Sequence, residues 1–95
     1  MNKKLSIIFS FYNEEKNIKK SIHKVSLVLN EIPNLDYELI YVNDDSTDDS
    51  LKILKQENLT NNKVKIINLS RRFGHMAGIM AGLKNCIGDA AIYLD

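Results

Sequence analysis

The sequence predicts an α/β chain, a Rossmann-like three-layer sandwich built on a mainly parallel sheet in the strand order 3-2-1-4. Three observations lead there. Four short apolar runs rich in Ile, Val, Leu and Tyr alternate with three stretches of helical period. The runs are nearly continuous in apolar residues rather than strictly alternating, which is how strands covered on both faces read. Each run also ends in polar or charged residues, and open parallel sheets bind ligands outside the carboxyl ends of their strands, at the crevice where the strand order reverses.

The first strand is expected over Leu5 to Phe11, where Ser6 and Ser10 are the only polar members. A helix follows, because Ile18, Ile22, Val25, Leu29 and Ile32 step by 4, 3, 4 and 3 and so share one stripe. Asn13 suits its N-cap, Glu14 and Glu15 suit the positive end of its dipole, and Pro33 stops it. Glu38 to Val42 reads as the second strand. The second helix is expected from Ser46 or Thr47, with Asp48 and Asp49 in its first turn and Leu51 and Leu54 facing inward. Asn58 to Lys63 reads as a polar loop, and Val64 to Leu69 as the third strand. The third helix carries Met76, Ile79, Met80, Leu83 and Ile87 as its apolar positions, with Gly88 as terminator. Ala90 to Leu94 reads as the fourth strand. Parallel strands joined by helical crossovers are right-handed, which places the switch crevice between the first and fourth strands.

Ninety-five residues suffice for one small domain or part of a larger one. A chain ending at Asp95, directly after a strand, is expected to be the N-terminal part of a larger protein. Thirteen basic against twelve acidic residues leave a net charge of +1, so no overall field advertises nucleic acid or an anionic membrane as partner. The single cysteine, Cys86, cannot form an internal disulfide, which fits a reducing compartment. The opening Met1-Asn2-Lys3-Lys4 and its apolar run lack a small-residue cleavage site, and no stretch approaches the ~20 apolar residues of a membrane span. These features together point to a cytoplasmic chain.

Three loops at strand ends carry candidate chemistry. Ser10-Phe11-Tyr12-Asn13 offers an aromatic plane on which a nucleobase can stack; the plainer alternative is a tyrosine covering the sheet edge. Asn43-Asp44-Asp45-Ser46-Thr47-Asp48-Asp49 holds four carboxylates. An EF-hand reading fails, since Asp49 stands where the loop needs Gly and Lys55 where it needs the distal Glu. Helix capping accounts for Asp48 and Asp49 but not for both Asp44 and Asp45, and an ionised Asp44 can accept hydrogen bonds from a ligand. Ser70-Arg71-Arg72-Phe73-Gly74-His75 joins guanidinium forks to a helix start, which suits a phosphate, although paired arginines are often plain surface. No glycine-rich loop follows the first strand, so dinucleotide and P-loop fingerprints are absent.

Taken in order, these segments resemble the N-terminal half of a glycosyltransferase family 2 catalytic domain, of the GT-A nucleotide-sugar-binding type. Ser6 to Glu15 is similar to the strand-one signature and Val42 to Asp48 to the second-strand acidic motif. Leu69 to Asp95 resembles the branch that moves sugars onto polyprenyl phosphates, such as dolichyl-phosphate mannose synthases and bacterial undecaprenyl-phosphate sugar transferases. The chain departs from the family at Ser10 (usually Pro), Asn43 (commonly Asp), Asp45 (commonly Gly) and Arg72 (often Asn). At Asp45 the departure puts a side chain, and a strained backbone, where the family keeps neither.

The resemblance implies an incomplete GT-A fold whose donor-nucleotide site draws on Ser10, Tyr12, Asn13, Asp44, Asp45, Arg71 and Gly74. In it Tyr12 packs on the base and Asp44 hydrogen-bonds it, while Arg71 and Gly74 lie near the donor. Asp95 would be the first carboxylate of the Asp-x-Asp motif that meets Mg²⁺ or Mn²⁺. The implied reaction moves a sugar, with inversion, from a UDP- or GDP-linked donor to a lipid-phosphate or glycan acceptor. No catalytic residue and no nucleic-acid partner is expected within the chain, and membrane association is expected only through a C-terminal part beyond it. The competing expectations are a flavodoxin- or receiver-like module, or a truncated product without function.

Overall fold

The computed structural model describes residues 3–71 and 73–94. The elements run β1 (Lys3–Phe11), α1 (Ile18–Asn30), β2 (Leu35–Asn43), α2 (Ser50–Thr60), β3 (Val64–Asn68), α3 (His75–Asn85) and β4 (Ala90–Leu94). All three strand pairings are parallel, in the order β3-β2-β1-β4. This is the order the alternation of strands and helices predicts. The register is flush where it matters: Phe11 stands opposite Asn43 and Asn43 opposite Asn68, so three strands finish at one edge.

Side chains alternate across a strand, and the two faces have separate interiors. Ile7, Phe9, Phe11, Leu39 and Tyr41 point to one face, where Ile18, Ile22 and Leu29 of α1 and Leu54 of α2 close over them. The Phe9 and Tyr41 rings stack there with centroids 4.5 Å apart. Ile8, Ile40 and Val42 point to the other face, joined by Ile67, Ala81, Cys86 and Tyr93. There α3 lies close on the sheet through its small residues. A Cβ at Gly82 would come within 2.4 Å of Ile8 Cγ2, and one at Gly78 within 2.0 Å of Ser10 Oγ.

Several element details depart from the sequence expectation. α1 begins at Ile18, after Asn17, rather than after Asn13, and no acidic residue occupies its first turn. α2 begins at Ser50 rather than Ser46 or Thr47, and it absorbs Asn58 to Thr60 of the expected loop. Leu54 faces inward as expected, Leu51 is half-buried, and Ile32 lies past the end of α1. On α3 the apolar positions Met76, Met80 and Leu83 face solvent, with Met76 69% exposed, because the glycines occupy the sheet side, and Ile87, expected on this helix, lies past its end at Asn85.

β2 also carries a carboxylate inward. Glu38 is buried on the α3 face, where it accepts hydrogen bonds from Ser6 Oγ, Lys65 Nζ and the Ile87 N–H. Ser6 Oγ in turn accepts from the Gly88 N–H at 2.9 Å. This network ties the α3–β4 connection to the middle of the sheet.

Candidate functional site

The flush ends of β1, β2 and β3 bring three loops together. Asn43 joins two of them: its Nδ2 donates to Asn68 Oδ1 at 2.8 Å and its Oδ1 accepts from the Ser46 N–H at 2.9 Å. The backbone continues the ladder past the strands, with the Asp44 N–H donating to Phe11 O and the Leu69 N–H to Asn43 O.

Asn13 is a staple between loops, which is why it does not cap α1. Its φ of +52° lies in the left-handed region that asparagine tolerates. From there Oδ1 accepts from the N–H groups of Thr47 (2.7 Å) and Asp48 (3.2 Å), and Nδ2 donates to Thr47 Oγ1 at 3.1 Å. The next amides point the same way. The N–H groups of Asn13, Glu14 and Glu15 donate to Ser46 Oγ, Ser50 Oγ and Asp48 Oδ2. Asp48 also accepts from the N–H and hydroxyl of Ser50, at 2.9 and 2.6 Å, but it stands two residues before α2: the N-cap is Asp49, whose side chain makes no capping bond, and neither carboxylate falls in the first turn where the sequence placed them. Burial would raise the Asp48 carboxyl, but the Ser50 and Glu15 hydrogen bonds outweigh burial and hold it below the ordinary range.

Asp44 does different work. It is 3% exposed, and its carboxylate spans to the β3–α3 loop. Oδ1 accepts from the Phe73 N–H at 2.8 Å and Oδ2 from the Gly74 N–H at 3.0 Å. Gly74, at φ +92°, is the N-cap of α3 in a conformation that glycine adopts without penalty. The end of β2 is thus fastened to the start of α3 by two charge-assisted bonds.

A cavity of about 470 Å³ opens beside this clamp, between the strand ends and the N-terminal turn of α1. Ser10, Tyr12 and Asp44 line it, so the structure brings these three sequence-derived candidates together. Glu14, Asn17, Ser21 and Tyr41 line it too, and the sequence reading did not single them out. Asn17 Nδ2 donates to Glu14 Oε2 at 3.0 Å, and the Ser21 and Tyr41 hydroxyls share a 2.8 Å hydrogen bond. Burial pushes the Tyr41 hydroxyl up to about 12, with the Ser21 bond opposing, so this wall stays neutral at physiological pH. Ser21 and Tyr41 lay hidden in regular patterns, one on a helix and one in an apolar strand.

The other candidates sit outside the cavity wall. Asp45 is exposed at φ +55°, so the strained backbone expected there is present. Arg71 is exposed with its guanidinium 4.8 Å from the centre of the Phe73 ring. Asn13 is engaged with Thr47 and Asp48, and Gly74 with Asp44. Arg72 and Asp95 lie outside the described residues. Among the described residues no three His, Cys, Asp or Glu side chains converge as a metal site. No described helix is long and apolar enough to cross a membrane.

Comparison with known proteins gives this geometry a context. The model of the family described as Glycosyl transferase family 2 matches residues 6–95. An uncharacterized glycosyltransferase of Bacillus subtilis, YkcC, is 39% identical over 90 residues, covering 95% of this chain and 28% of its own length. An undecaprenyl-phosphate 4-deoxy-4-formamido-L-arabinose transferase of Proteus mirabilis is 36% identical over 93 residues, covering 97% of this chain and 28% of its own. The structure of residues 1–349 of Staphylococcus aureus TarS in complex with UDP superposes with a TM-score of 0.81 at 28% identity, covering 97% of this chain and 27% of that one. The chain therefore spans less than a third of the relatives it matches.

Proposed function

The chain belongs to glycosyl transferase family 2, and from that premise we propose that it forms the donor-nucleotide site of an inverting enzyme that moves a sugar from a nucleoside-diphosphate sugar to a polyprenyl phosphate. One observation carries the donor reading: the buried Asp44 carboxylate stands in the wall of the cavity that Tyr12 and Ser10 also line. A base stacked on Tyr12 gains roughly 1–3 kcal/mol. A carboxylate has about four acceptor positions, so the group that holds the β3–α3 loop can also take a ring N–H of the base. Asp44 would then report nucleotide binding directly to the start of α3. The low-polarity wall of Phe9, Phe11 and Ile18 would strengthen that hydrogen bond by excluding water.

The acceptor reading rests on likeness to the undecaprenyl-phosphate transferase. A phosphate acceptor is already anionic and needs no strong general base, which agrees with a site whose described residues supply binding groups. Asp95 is the proposed first ligand of Mg²⁺ or Mn²⁺. A divalent ion there would supply Lewis-acid stabilisation of the departing diphosphate. This chain alone is expected to bind nucleotide without transferring sugar.

The test is a two-dimensional amide NMR titration with UDP and with GDP, with and without Mg²⁺. Shifts are expected at Tyr12, Asp44, Phe73 and Gly74, and the nucleotide that produces them identifies the base. Asp44→Ala is expected to weaken that binding about tenfold, by loss of a charged hydrogen bond, and Asp48→Ala far less. Dispersed spectra that ignore both nucleotides, or equal effects of the two substitutions, would overturn the donor site.

A further inference from the structure

The layer formed by α1 and α2 carries one arrangement of side chains twice on its solvent face. On α1, Lys20, Lys24 and Leu27 share a stripe; on α2, Lys52, Lys55 and Leu59 share another. All six are exposed, Leu27 by 69% and Leu59 by 85%. Both helices are crossovers between parallel strands and so run the same way, which sets both leucines at one end of the layer and the lysines behind them. Between the helices lies a groove of about 780 Å³, lined by Lys16, Lys19, Lys20 and His23 on the α1 side, with Glu15 at its end and Gln56 and Glu57 across it. Glu57 lies 3.7 Å from His23 Nε2. Glu31 and Asp49, at the helix ends, are the other acidic groups of these two helices and their caps.

We propose that this face docks on an anionic lipid bilayer, with the lysines at the phosphate level and Leu27 and Leu59 in the acyl boundary. Two exposed leucines at matching positions have no counterpart in a nucleic-acid backbone, whereas a bilayer takes both chemistries at adjacent depths. Lysine suits the role because its stem lies along apolar surface while its ammonium stays at the headgroups. The net charge of +1 conceals the surface: the fold sorts near-balanced charges so that one face is basic, and the membrane contact expected only beyond the chain begins within it. The inference is independent of the donor site, since docking is measured without nucleotide.

Co-sedimentation of the 95-residue chain with phosphatidylcholine vesicles, with and without phosphatidylglycerol, tests it. Binding is expected only where phosphatidylglycerol is present. It should fade as salt rises from about 0.1 M to about 1 M, where screening shortens from about 10 Å to about 3 Å. The triple change Lys20→Glu, Lys24→Glu and Lys55→Glu should lower partitioning roughly hundredfold, each lysine near the surface being worth about fivefold. Leu27→Ser with Leu59→Ser should lower it about tenfold or more. All five positions are exposed, so unchanged melting curves would show that the fold is intact. Equal binding to both vesicle types, or no binding to either, would overturn the proposal. Loss on lysine reversal with no effect of the leucine changes, together with binding to DNA, would replace the bilayer with a nucleic acid.

Discussion

The two faces of the sheet are held by different physics. On the α1–α2 face large side chains interlock: Tyr41, Phe9, Leu39, Ile22 and Leu54 are buried among one another. On the α3 face three fully buried apolar residues suffice, and the helix backbone rests on the sheet through Gly78 and Gly82. What positions α3 is polar. Asp44 holds the amides at its start, and Glu38 with Ser6 holds the amides just past its end. Both carboxylates belong to β2 or the residue after it, six positions apart and on the same side of the pleat. One face therefore supplies cohesion, and the other supplies a directional attachment beside the strand-end loops. Burial is non-directional, whereas hydrogen bonds to named amides fix where a loop starts, so directional ties fall where position matters.

The sharpest way to break this contrast is to truncate each face. Leu54→Ala, at a position with no solvent exposure, should cost about 4 kcal/mol by cavity formation. Met80→Ser on α3 removes a side chain of comparable size that is 61% exposed, and should change stability by less than about 0.5 kcal/mol. Urea unfolding of the two variants measures both. Comparable losses would mean that the outer stripe of α3 is covered in solution.

The polar attachment is tested next, through pH. Burial raises the Glu38 carboxyl, but hydrogen bonds from the Ile87 N–H, Lys65 and Ser6 outweigh burial and hold it below the ordinary glutamate range. A group whose pKa is depressed on folding contributes stability above its unfolded value, about 4.3 for glutamate, and loses it as pH falls through the folded value. Glu38→Gln keeps the shape and removes the charge, and is expected to cost about 2 kcal/mol at neutral pH. The gap between wild type and variant should close below roughly pH 4. A gap of equal size at neutral and acid pH would assign Glu38 to packing instead of charge. Because Glu38 is remote from the cavity lining, nucleotide affinity measured on the folded variant should be unchanged.

Much of this was legible beforehand, for identifiable reasons. The parallel α/β layout followed from apolar runs separated by helical repeats, since a strand buried on both faces has few ways to be written; the order 3-2-1-4 came only with the Rossmann-like reading, because a flavodoxin-like chain alternates in the same way. Ser10, Tyr12 and Asp44 were legible as strand-end residues. The helix starts were not. Asn13, Glu14 and Glu15 carry capping signals, yet their amides are taken by Ser46, Ser50 and Asp48 of the neighbouring β2–α2 segment, and local propensity cannot foresee a partner 33 to 36 positions away. The outward face of α3 misled for the opposite reason. Its stripe of Met76, Met80 and Leu83 outweighs two glycines in any hydropathy count, although Gly78 and Gly82, four apart, marked the side that touches the sheet. Glu38 was read only as the start of the second strand, although it is a lone carboxylate in a run buried on both faces. Such a group must find partners, which is itself a signal.

The smallest expected effect concerns the loop that carries Asp44. Asp45 holds φ at +55° with an exposed side chain, outside the cavity wall. Aspartate tolerates this region better than most residues, so the strain is well below the 1–2 kcal/mol of a general L-residue. Glycine relieves it but adds freedom to the unfolded chain. The two terms are of similar size, so Asp45→Gly should change stability by less than about 0.5 kcal/mol, and Asp45→Val, whose branched side chain fits this region poorly, should destabilise by more than that. Both are read from urea midpoints. Nucleotide affinity in the same pair separates conformation from contact: if it follows the stability order, Asp45 acts only by setting the path of the loop into Asp44. If both substitutions weaken binding equally, its carboxylate touches the donor, and the site extends beyond the cavity wall.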